Sequence, residues 1–106
     1  MGTPDYISPE VLTESCYDFS VDIWGIGVVM FECLFGYPPF SHDDSKEVCN
    51  RVVNWLQYLE FPEDVKVSTE AKMLILGMMN NKEQRLTVKQ IKIHPFFRNF
   101  DWKTVR

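Results

Sequence analysis

The segment V-D-I-W-G-I-G-V-V-M-F-E-C-L-F, residues 21–35, is apolar on nearly every face when it is wound as an α-helix. Such a helix is either surrounded by protein or embedded in a membrane. A membrane span is not expected, because the segment is too short and Asp22 and Glu32 interrupt its apolar surface. The rest of a 106-residue chain is too small to wrap the helix completely. We therefore expect part of its packing partner to lie outside this chain.

Helices joined by loops are predicted for the remainder, because no segment alternates convincingly as a strand. The predicted helix boundaries are Ser20 and Gly36 for the apolar helix, Asp44 and Leu59 for the next, Ser68 at the start of a third, and Thr87 and Pro95 around a short last helix. The second of these helices has apolar residues at helical spacing, and we expect them to face the core: Val48, Val52, Trp55, Leu56 and Leu59. The predicted fold class is mainly α.

Charge and cysteine usage narrow the partners and the compartment. The net charge of −4, with no run of like charge, argues against nucleic acid or an anionic membrane as the main partner. The three cysteines are scattered and lack C-x-x-C spacing, which favours free thiols in a reducing compartment over disulfides or zinc. Met1 is not followed by a secretory leader. We expect an intracellular location, in the cytoplasm and in the nucleus as well.

Several short motifs follow one another in a fixed order. Residues 8–10, S-P-E, are similar to the A-P-E motif that closes the activation segment of protein kinases, and residues 22–27 have the D-x-W-x-x-G spacing of the kinase central helix. Residues 36–40, G-Y-P-P-F, resemble the G-x-x-P-F sequence that follows this helix, while Arg85 and the H-P-F-F sequence at 94–97 match the end of the domain. The chain thus resembles the lower part of a protein-kinase-like C-lobe, an incomplete helical fold.

The resemblance can be narrowed to one branch of the kinases. The sequences G-T-P-D-Y-I-S-P-E-V-L, Y-D-F-S-V-D-I-W, N-W and H-P-F-F-R-N-F-D-W are most similar to AGC-group serine/threonine kinases of the NDR/LATS branch, with Rho-associated kinases next. This implies a partial kinase domain at residues 1–97 and the start of the AGC C-terminal tail at 98–106. It also implies a parent kinase that transfers the γ-phosphoryl group of ATP to serine or threonine of protein substrates with Mg²⁺, and that binds a Mob-type co-activator outside this chain.

The resemblance assigns the first loop to the protein substrate. Gly2 and Thr3 are typical of serine/threonine kinases, in which the threonine hydroxyl contacts an aspartate and a lysine of the catalytic loop. Asp5, Tyr6 and Ile7 are implied to form the pocket for the substrate residue that follows the phosphoacceptor. Because the catalytic loop is not in this chain, a solvated loop position for Thr3 is an equal alternative.

Four further residues have implied structural roles. Glu10 and Arg85, which are 75 positions apart, are implied to form a buried ion pair, since an arginine fork suits a carboxylate. The alternative is two ordinary surface charges. Asp22 is implied to hold the catalytic loop, although the helix dipole alone also favours an acid in a first turn. Trp24 belongs to the motif of the central helix.

The parts that carry phosphoryl transfer are not found in the sequence. A glycine-rich phosphate loop, a nucleotide-binding lysine, an H-R-D loop and a D-F-G in kinase order are all lacking. Residues 18–20, D-F-S, follow the A-P-E-like motif instead of preceding it, and we interpret them as an approach to a helix cap. Gly25 and Gly27 are interpreted as close-packing positions, and residues 42–44, H-D-D, as a solvated loop. No catalytic, cofactor-binding or metal-binding residue is expected here, and the chain is predicted to be inactive alone.

Two interpretations of the whole chain remain open. Because Met1 leads directly into a substrate-facing loop, we expect the parent kinase to continue upstream of residue 1. The alternative is a free-standing helical interaction module, derived from a kinase, that binds partners through the groove around residues 44–59.

Overall fold

A computed structural model describes residues 4–14 and 18–98 of the chain. The described residues form six α-helices and three short 3₁₀ turns, and they contain no strand, so the predicted mainly-α class is confirmed. The helices are α1 (Pro9–Glu14), α2 (Ser20–Phe35), α3 (Ser45–Val53), α4 (Trp55–Tyr58), α5 (Thr69–Met78) and α6 (Val88–Lys92), and the 3₁₀ turns are Pro4–Tyr6, Lys82–Gln84 and Pro95–Phe97.

The apolar helix α2 lies at the centre of the packing. It contacts α5 along its length, while α1 packs against α3 and the last 3₁₀ turn packs against α5. Trp24 of α2 is fully buried, stacked on Phe40 at 6.4 Å between ring centroids and edge-on to Trp55 at 6.1 Å. The main core cluster consists of Trp24, Val28, Phe31, Phe35, Phe40, Val48, Val52, Trp55, Ile75 and Met79.

A second apolar side of α2 is left uncovered by the described residues. Ile26 is 52% exposed and Val29 is 49% exposed, although both lie in the middle of a helix whose other side is buried. Within residues 4–14 and 18–98, no helix covers this side of α2. This side of α2 is the surface on which the expected packing partner would lie, and that partner stays a prediction.

The helix predicted between Asp44 and Leu59 is divided in two. Asn54 leaves helical geometry at φ −104° and ψ 38°, and its side-chain Nδ2 donates a hydrogen bond to the Asn50 carbonyl at 2.9 Å. The break lets Trp55 enter the core and turns Leu56 outward, where it is 80% exposed. The prediction that Leu56 faces the core is therefore wrong. It assumed one continuous helix with regular spacing, and Asn54 interrupts that helix.

Most predicted helix ends are confirmed, but the start of α2 is corrected. The carboxylate of Asp18 accepts hydrogen bonds from the Ser20 backbone N–H at 2.8 Å and from the Ser20 hydroxyl at 2.6 Å. The side chain that accepts an N–H at the start of α2 is therefore that of Asp18, and the prediction that Ser20 caps this helix is wrong. Gly36 ends α2 in the left-handed region at φ 93°. Ser68 caps α5, and Thr87 forms a capping box with Gln90.

The pKa of Asp18 is lowered to about 2, first by the Ser20 hydroxyl, then by the Ser20 N–H and Lys82. A carboxyl group whose pKa is lower in the folded state stabilises the fold above its ordinary pKa and loses that effect as the pH falls. We expect the difference in Tm between the wild type and Asp18→Asn to shrink as the pH falls from 3.8 through about 2. Thermal melts of both proteins across that range check this. A difference that stays constant with pH would contradict the assigned carboxylate role.

The two glycines in the middle of α2 have different surroundings. A Cβ atom added at Gly27 would lie 2.6 Å from Met79 Cγ and 3.1 Å from Met78 Cβ, so this position requires the absence of a side chain. A Cβ atom at Gly25 would meet nothing closer than the Tyr6 carbonyl at 4.0 Å. Close packing is thus confirmed at Gly27, whereas a Cβ atom at Gly25 would make only an ordinary van der Waals contact with the Tyr6 carbonyl.

This contrast predicts opposite effects for the same substitution in one helix. Gly27→Ala is expected to destabilise the fold, since overpacking costs about 1–3 kcal/mol and exceeds the gain in helix propensity. Gly25→Ala is expected to be neutral or to stabilise by up to about 1 kcal/mol, because only the propensity changes. Denaturant unfolding of the two variants beside the wild type measures both effects. Equal changes in the free energy of unfolding at both positions would show that contact with Met78 and Met79 does not cause the destabilisation at Gly27.

Candidate functional site

The loop before α1 carries the residues assigned to the protein substrate. Asp5 and Tyr6 lie in the first 3₁₀ turn, which packs against α2 and α3, and Ile7 connects this turn to the buried Ser8. Gly2 and Thr3 lie outside the described residues. The structure therefore places Asp5, Tyr6 and Ile7 on one short segment held by the helices below it, and their substrate roles stay predictions.

A hydrogen bond from the Tyr6 hydroxyl to the Glu32 carboxylate fastens this loop to α2. This bond to a carboxylate, together with burial and the negative charge of Glu32, raises the pKa of Tyr6 above its ordinary value. The two residues are 26 positions apart, and no motif or periodicity links them. The sequence therefore gives no sign that Glu32 binds Tyr6, and Glu32 is visible there only as a charge within an apolar helix.

Behind the loop, Glu10 and Arg85 form the buried ion pair that the family pattern predicts. Arg85 Nη1 donates to Glu10 Oε2 at 2.7 Å and Nη2 donates to Glu10 Oε1 at 2.8 Å. The Arg85 side chain is 1% exposed and the Glu10 side chain 7%. This bidentate geometry is the strong form of the arginine–carboxylate interaction, and it joins α1 to the segment after α5.

The remaining contacts of Arg85 connect two more parts of the chain, α2 and the segment after α5. Its Nε donates to the Asn80 carbonyl and its Nη1 also donates to the Ser20 carbonyl, both at 2.9 Å. Its guanidinium lies 5.3 Å from the centre of the Trp24 ring, a cation–π distance. Arg85 is therefore the point at which α1, the start of α2 and the end of α5 are held together.

The pKa of Glu10 reflects opposing influences. Burial by itself raises the pKa, because it disfavours the charged carboxylate. The hydrogen bonds from Arg85, a backbone N–H and the positive charge of Arg85 more than offset burial, and the pKa lies below its ordinary value. Glu10 is thus held in the charged form that the arginine requires.

Asp22 and the exposed side of α2 border an open groove. The groove has a volume of about 460 Å³ and is mainly apolar, and the residues that line it are Tyr6, Val21, Asp22, Gly25, Ile26 and Val29. Asp22 is exposed in the first turn of α2. The groove thus combines one carboxylate with apolar side chains, and Tyr6 of the loop before α1 forms part of its wall.

Residues 42–44 form no metal cluster. His42 Nδ1 accepts the Asp44 backbone N–H at 3.0 Å, and Asp44 Oδ1 in turn caps α3 by accepting the Lys46 N–H at 3.0 Å. Within residues 4–14 and 18–98, no three His, Cys, Asp or Glu side chains are grouped closely enough to hold a metal ion. None of the helices in this part of the chain has the length and apolar character needed to cross a membrane.

Comparison with known families agrees with the motifs and with the geometry around Arg85. Residues 1–97 match the family model described as the protein kinase domain. The chain belongs to the protein kinase family.

Individual relatives place it more finely, in the NDR/LATS branch of the AGC kinases. The chain is 44% identical over 109 residues to the serine/threonine-protein kinase CBK1 of Pneumocystis carinii, an alignment that covers 100% of this chain and 22% of that protein. It is 42% identical over 110 residues to CBK1 of Saccharomyces cerevisiae, covering 100% of this chain and 15% of the relative. It is 42% identical over 109 residues to the serine/threonine-protein kinase cot-1 of Neurospora crassa, covering 100% of this chain and 18% of that protein. The chain thus spans less than a quarter of the length of these relatives.

Proposed function

We propose that this chain supplies the end of the activation segment and the helical base of a serine/threonine protein kinase of the NDR/LATS branch, and that it transfers no phosphate by itself. The observation that carries the proposal is the buried pair of Glu10 and Arg85 at the two motif positions. This pair fixes α1 on the helical base and so sets the position of the loop that precedes it. In this role the chain positions protein substrates, and the chemistry belongs to the rest of the kinase.

The uncovered side of α2 supports the same proposal. Ile26, Val29 and the apolar lining of the groove are the surface on which the remainder of the kinase domain packs. Asp22 stands at the end of that surface, where its carboxylate holds the catalytic loop of the complete enzyme. ATP and Mg²⁺ bind to that remainder, and Asp5, Tyr6 and Ile7 contact the residue after the serine or threonine that is phosphorylated. We further propose a Mob-type co-activator for the complete kinase and an intracellular location in cytoplasm and nucleus.

The inactivity of the chain alone is tested with the purified 106-residue protein. We expect neither heat of ATP binding in calorimetry nor transfer of phosphate to a serine/threonine peptide, because phosphoryl transfer depends on positioned phosphates and metal ions. Measurable turnover that persists after repurification would refute the proposal.

The positive half of the proposal is tested in a chimera. This chain replaces the matching segment of Saccharomyces cerevisiae CBK1, to which it is 42% identical. We expect the chimera to phosphorylate protein substrates, and we expect Ile26→Asp in the chimera to abolish that activity by disrupting the packing on α2. Met73→Asp, at another exposed apolar position, is the matched control. A chimera that folds and binds ATP but phosphorylates no protein would show that the loop before α1 does not position protein substrates.

A second candidate function is a free-standing interaction module, and the break in the helix after residue 53 favours it. Leu56 and Val53 are exposed beside a groove of about 260 Å³, which is also lined by Asn54, Trp55, Gln57 and Asn81. A module of this kind is expected to be a soluble monomer with a cooperative melt. A chain that is soluble only when the rest of a kinase domain is present excludes the module and supports the first function.

A further inference from the structure

The segment between Phe40 and α3 has no part in the functions described so far, and local contacts fix both of its ends. Phe40 is fully buried against Trp24 and fixes the start of the segment. Asp44 fixes its end, since its backbone N–H donates to His42 Nδ1 and its side chain caps α3. Ser41 lies between these anchors and is exposed. Its hydroxyl is thus presented to solvent from a defined backbone.

An arginine is held beside this serine. Arg51 of α3 donates from Nη1 to the Ser41 carbonyl at 3.3 Å and from Nε to Glu47 Oε2 at 3.0 Å. Its guanidinium also lies 5.7 Å from the centre of the Tyr58 ring. The contacts through Nε, Nη1 and the ring face orient the guanidinium, whose Nη2 bonds to none of the described residues. Because Nη1 already contacts the Ser41 carbonyl, we expect a phosphate on the Ser41 hydroxyl to reach Nη2.

Four other serine and threonine hydroxyls of the described residues are engaged in the fold, while Ser8 is buried and Ser45 and Thr69 are exposed as Ser41 is. Thr13 donates to the Pro9 carbonyl, Ser20 donates to Asp18, and Ser68 and Thr87 accept N–H bonds at helix starts. Modification of these hydroxyls would break the contacts that form the helix ends. Ser41 has no such contact with a described residue, so its modification leaves the fold intact.

We propose that Ser41 is a phosphorylation site for an acid-directed serine/threonine kinase, and that Arg51 binds the resulting phosphate. Asp43 and Asp44 follow Ser41 by two and three positions, and this pattern suits a kinase whose substrate groove is basic. The function of this chain within its own kinase does not enter the argument, so the two proposals stand or fall separately.

The reaction is a simple phosphoryl transfer from ATP. The Ser41 oxygen attacks the γ-phosphorus, the new O–P bond forms, and the bond from the γ-phosphorus to the bridging oxygen breaks. ADP leaves, and the hydroxyl proton passes to the carboxylate base of the modifying kinase. The phosphoserine carries a charge of about −1.5 to −2 at pH 7, and it accepts charge-assisted hydrogen bonds from the Arg51 guanidinium. The phosphate accepts from Nη2 while Nε keeps its bond to Glu47, and the new contact ties the loop to α3.

The site is tested by incubating the full chain with one acid-directed kinase and Mg-ATP, followed by tandem mass spectrometry. We expect a single phosphate on Ser41, its loss in Ser41→Ala, and at least a tenfold slower reaction in the Asp43→Asn variant. Ser45→Ala is the matched control, because Ser45 is the neighbouring exposed serine, at the start of α3, and its removal should leave the rate unchanged. Phosphate on Ser45, or no transfer at all, would overturn the proposal.

The role of Arg51 is measured separately by ³¹P NMR titration of the phosphorylated chain. A free phosphoserine has its second pKa near 6, and a neighbouring guanidinium lowers it by favouring the dianion. We expect a lower phosphate pKa in the wild type than in Arg51→Gln, while Lys46→Gln, which removes another cation near the loop, should have a much smaller effect. Identical phosphate pKa values in the wild type and Arg51→Gln would exclude Arg51 as the phosphate ligand, even if Ser41 is modified.

Discussion

Arg85→Met is expected to destabilise the chain by about 3–5 kcal/mol, because it leaves the buried carboxylate of Glu10 without its partner. The side chains of both residues are nearly inaccessible to water, so solvent cannot replace the two lost hydrogen bonds. A loss of this size lowers the Tm by at least about 12 °C in a domain of this length. Denaturant titration of the variant and the wild type, read by circular dichroism, gives the difference directly.

Two controls separate burial from charge. Arg98→Met removes the exposed Arg98–Glu70 pair, whose nitrogen–oxygen distance is 3.0 Å, and is expected to leave stability nearly unchanged, because water and salt screen exposed charges. The double variant Glu10→Met, Arg85→Met removes both buried charges and should recover much of the loss, since replacing a buried pair by apolar groups is often nearly neutral. If Arg85→Met behaved like Arg98→Met, the ion pair could not be what fixes α1.

Trp24→Ala is expected to cost about 3–5 kcal/mol, the range for removing a large aromatic side chain from a core. Trp24 is fully buried and contacts Phe40 and Trp55, which come from different parts of the chain. Its ring also lies under Arg85, so the substitution weakens the surroundings of the ion pair as well. The measurement is the free energy of unfolding in denaturant.

Phe19→Ala is the matched control for this substitution. Phe19 is next to the start of the same helix, yet it is 62% exposed, and its truncation should cost less than about 1 kcal/mol. A double-mutant cycle between Trp24→Ala and Arg85→Met measures their coupling. We expect the combined loss to be smaller than the sum of the two single losses, and strict additivity would argue against a direct interaction.

Local sequence signals predicted much of the fold. The end of α2 at Gly36, the cap at Ser68 and the capping box at Thr87 depend on neighbouring residues alone, and all three are confirmed. The helix break at Asn54 was missed, because apolar residues continue at helical spacing on both sides of it. The sequence predicts Ser20 as the capping residue of α2, whereas the Asp18 carboxylate accepts the N–H bond. Sequence alone cannot distinguish the two, because both residue types favour helix starts.

The site was predictable only where a motif marks it. Glu10 and Arg85 were paired through the family pattern, which carries information on distant contacts that composition and periodicity lack. Glu32 has no such marker, and its hydrogen bond to Tyr6 depends on how the first 3₁₀ turn is placed on α2. The different surroundings of Gly25 and Gly27 could not be predicted either, because they follow from the position of Met79 across the helix interface.

The 75-residue separation of Glu10 and Arg85 has a consequence for the order in which the chain folds. Contacts between distant residues form late, since closing the intervening loop costs entropy before any contact is gained. Of the partners of Arg85, only the Asn80 carbonyl is local, at five residues, whereas the bonds to Ser20 and Glu10 span 65 and 75 residues. An interaction formed after the transition state mainly slows unfolding. We therefore expect the ion pair to determine how long the loop before α1 stays in place more than how quickly it takes up its position.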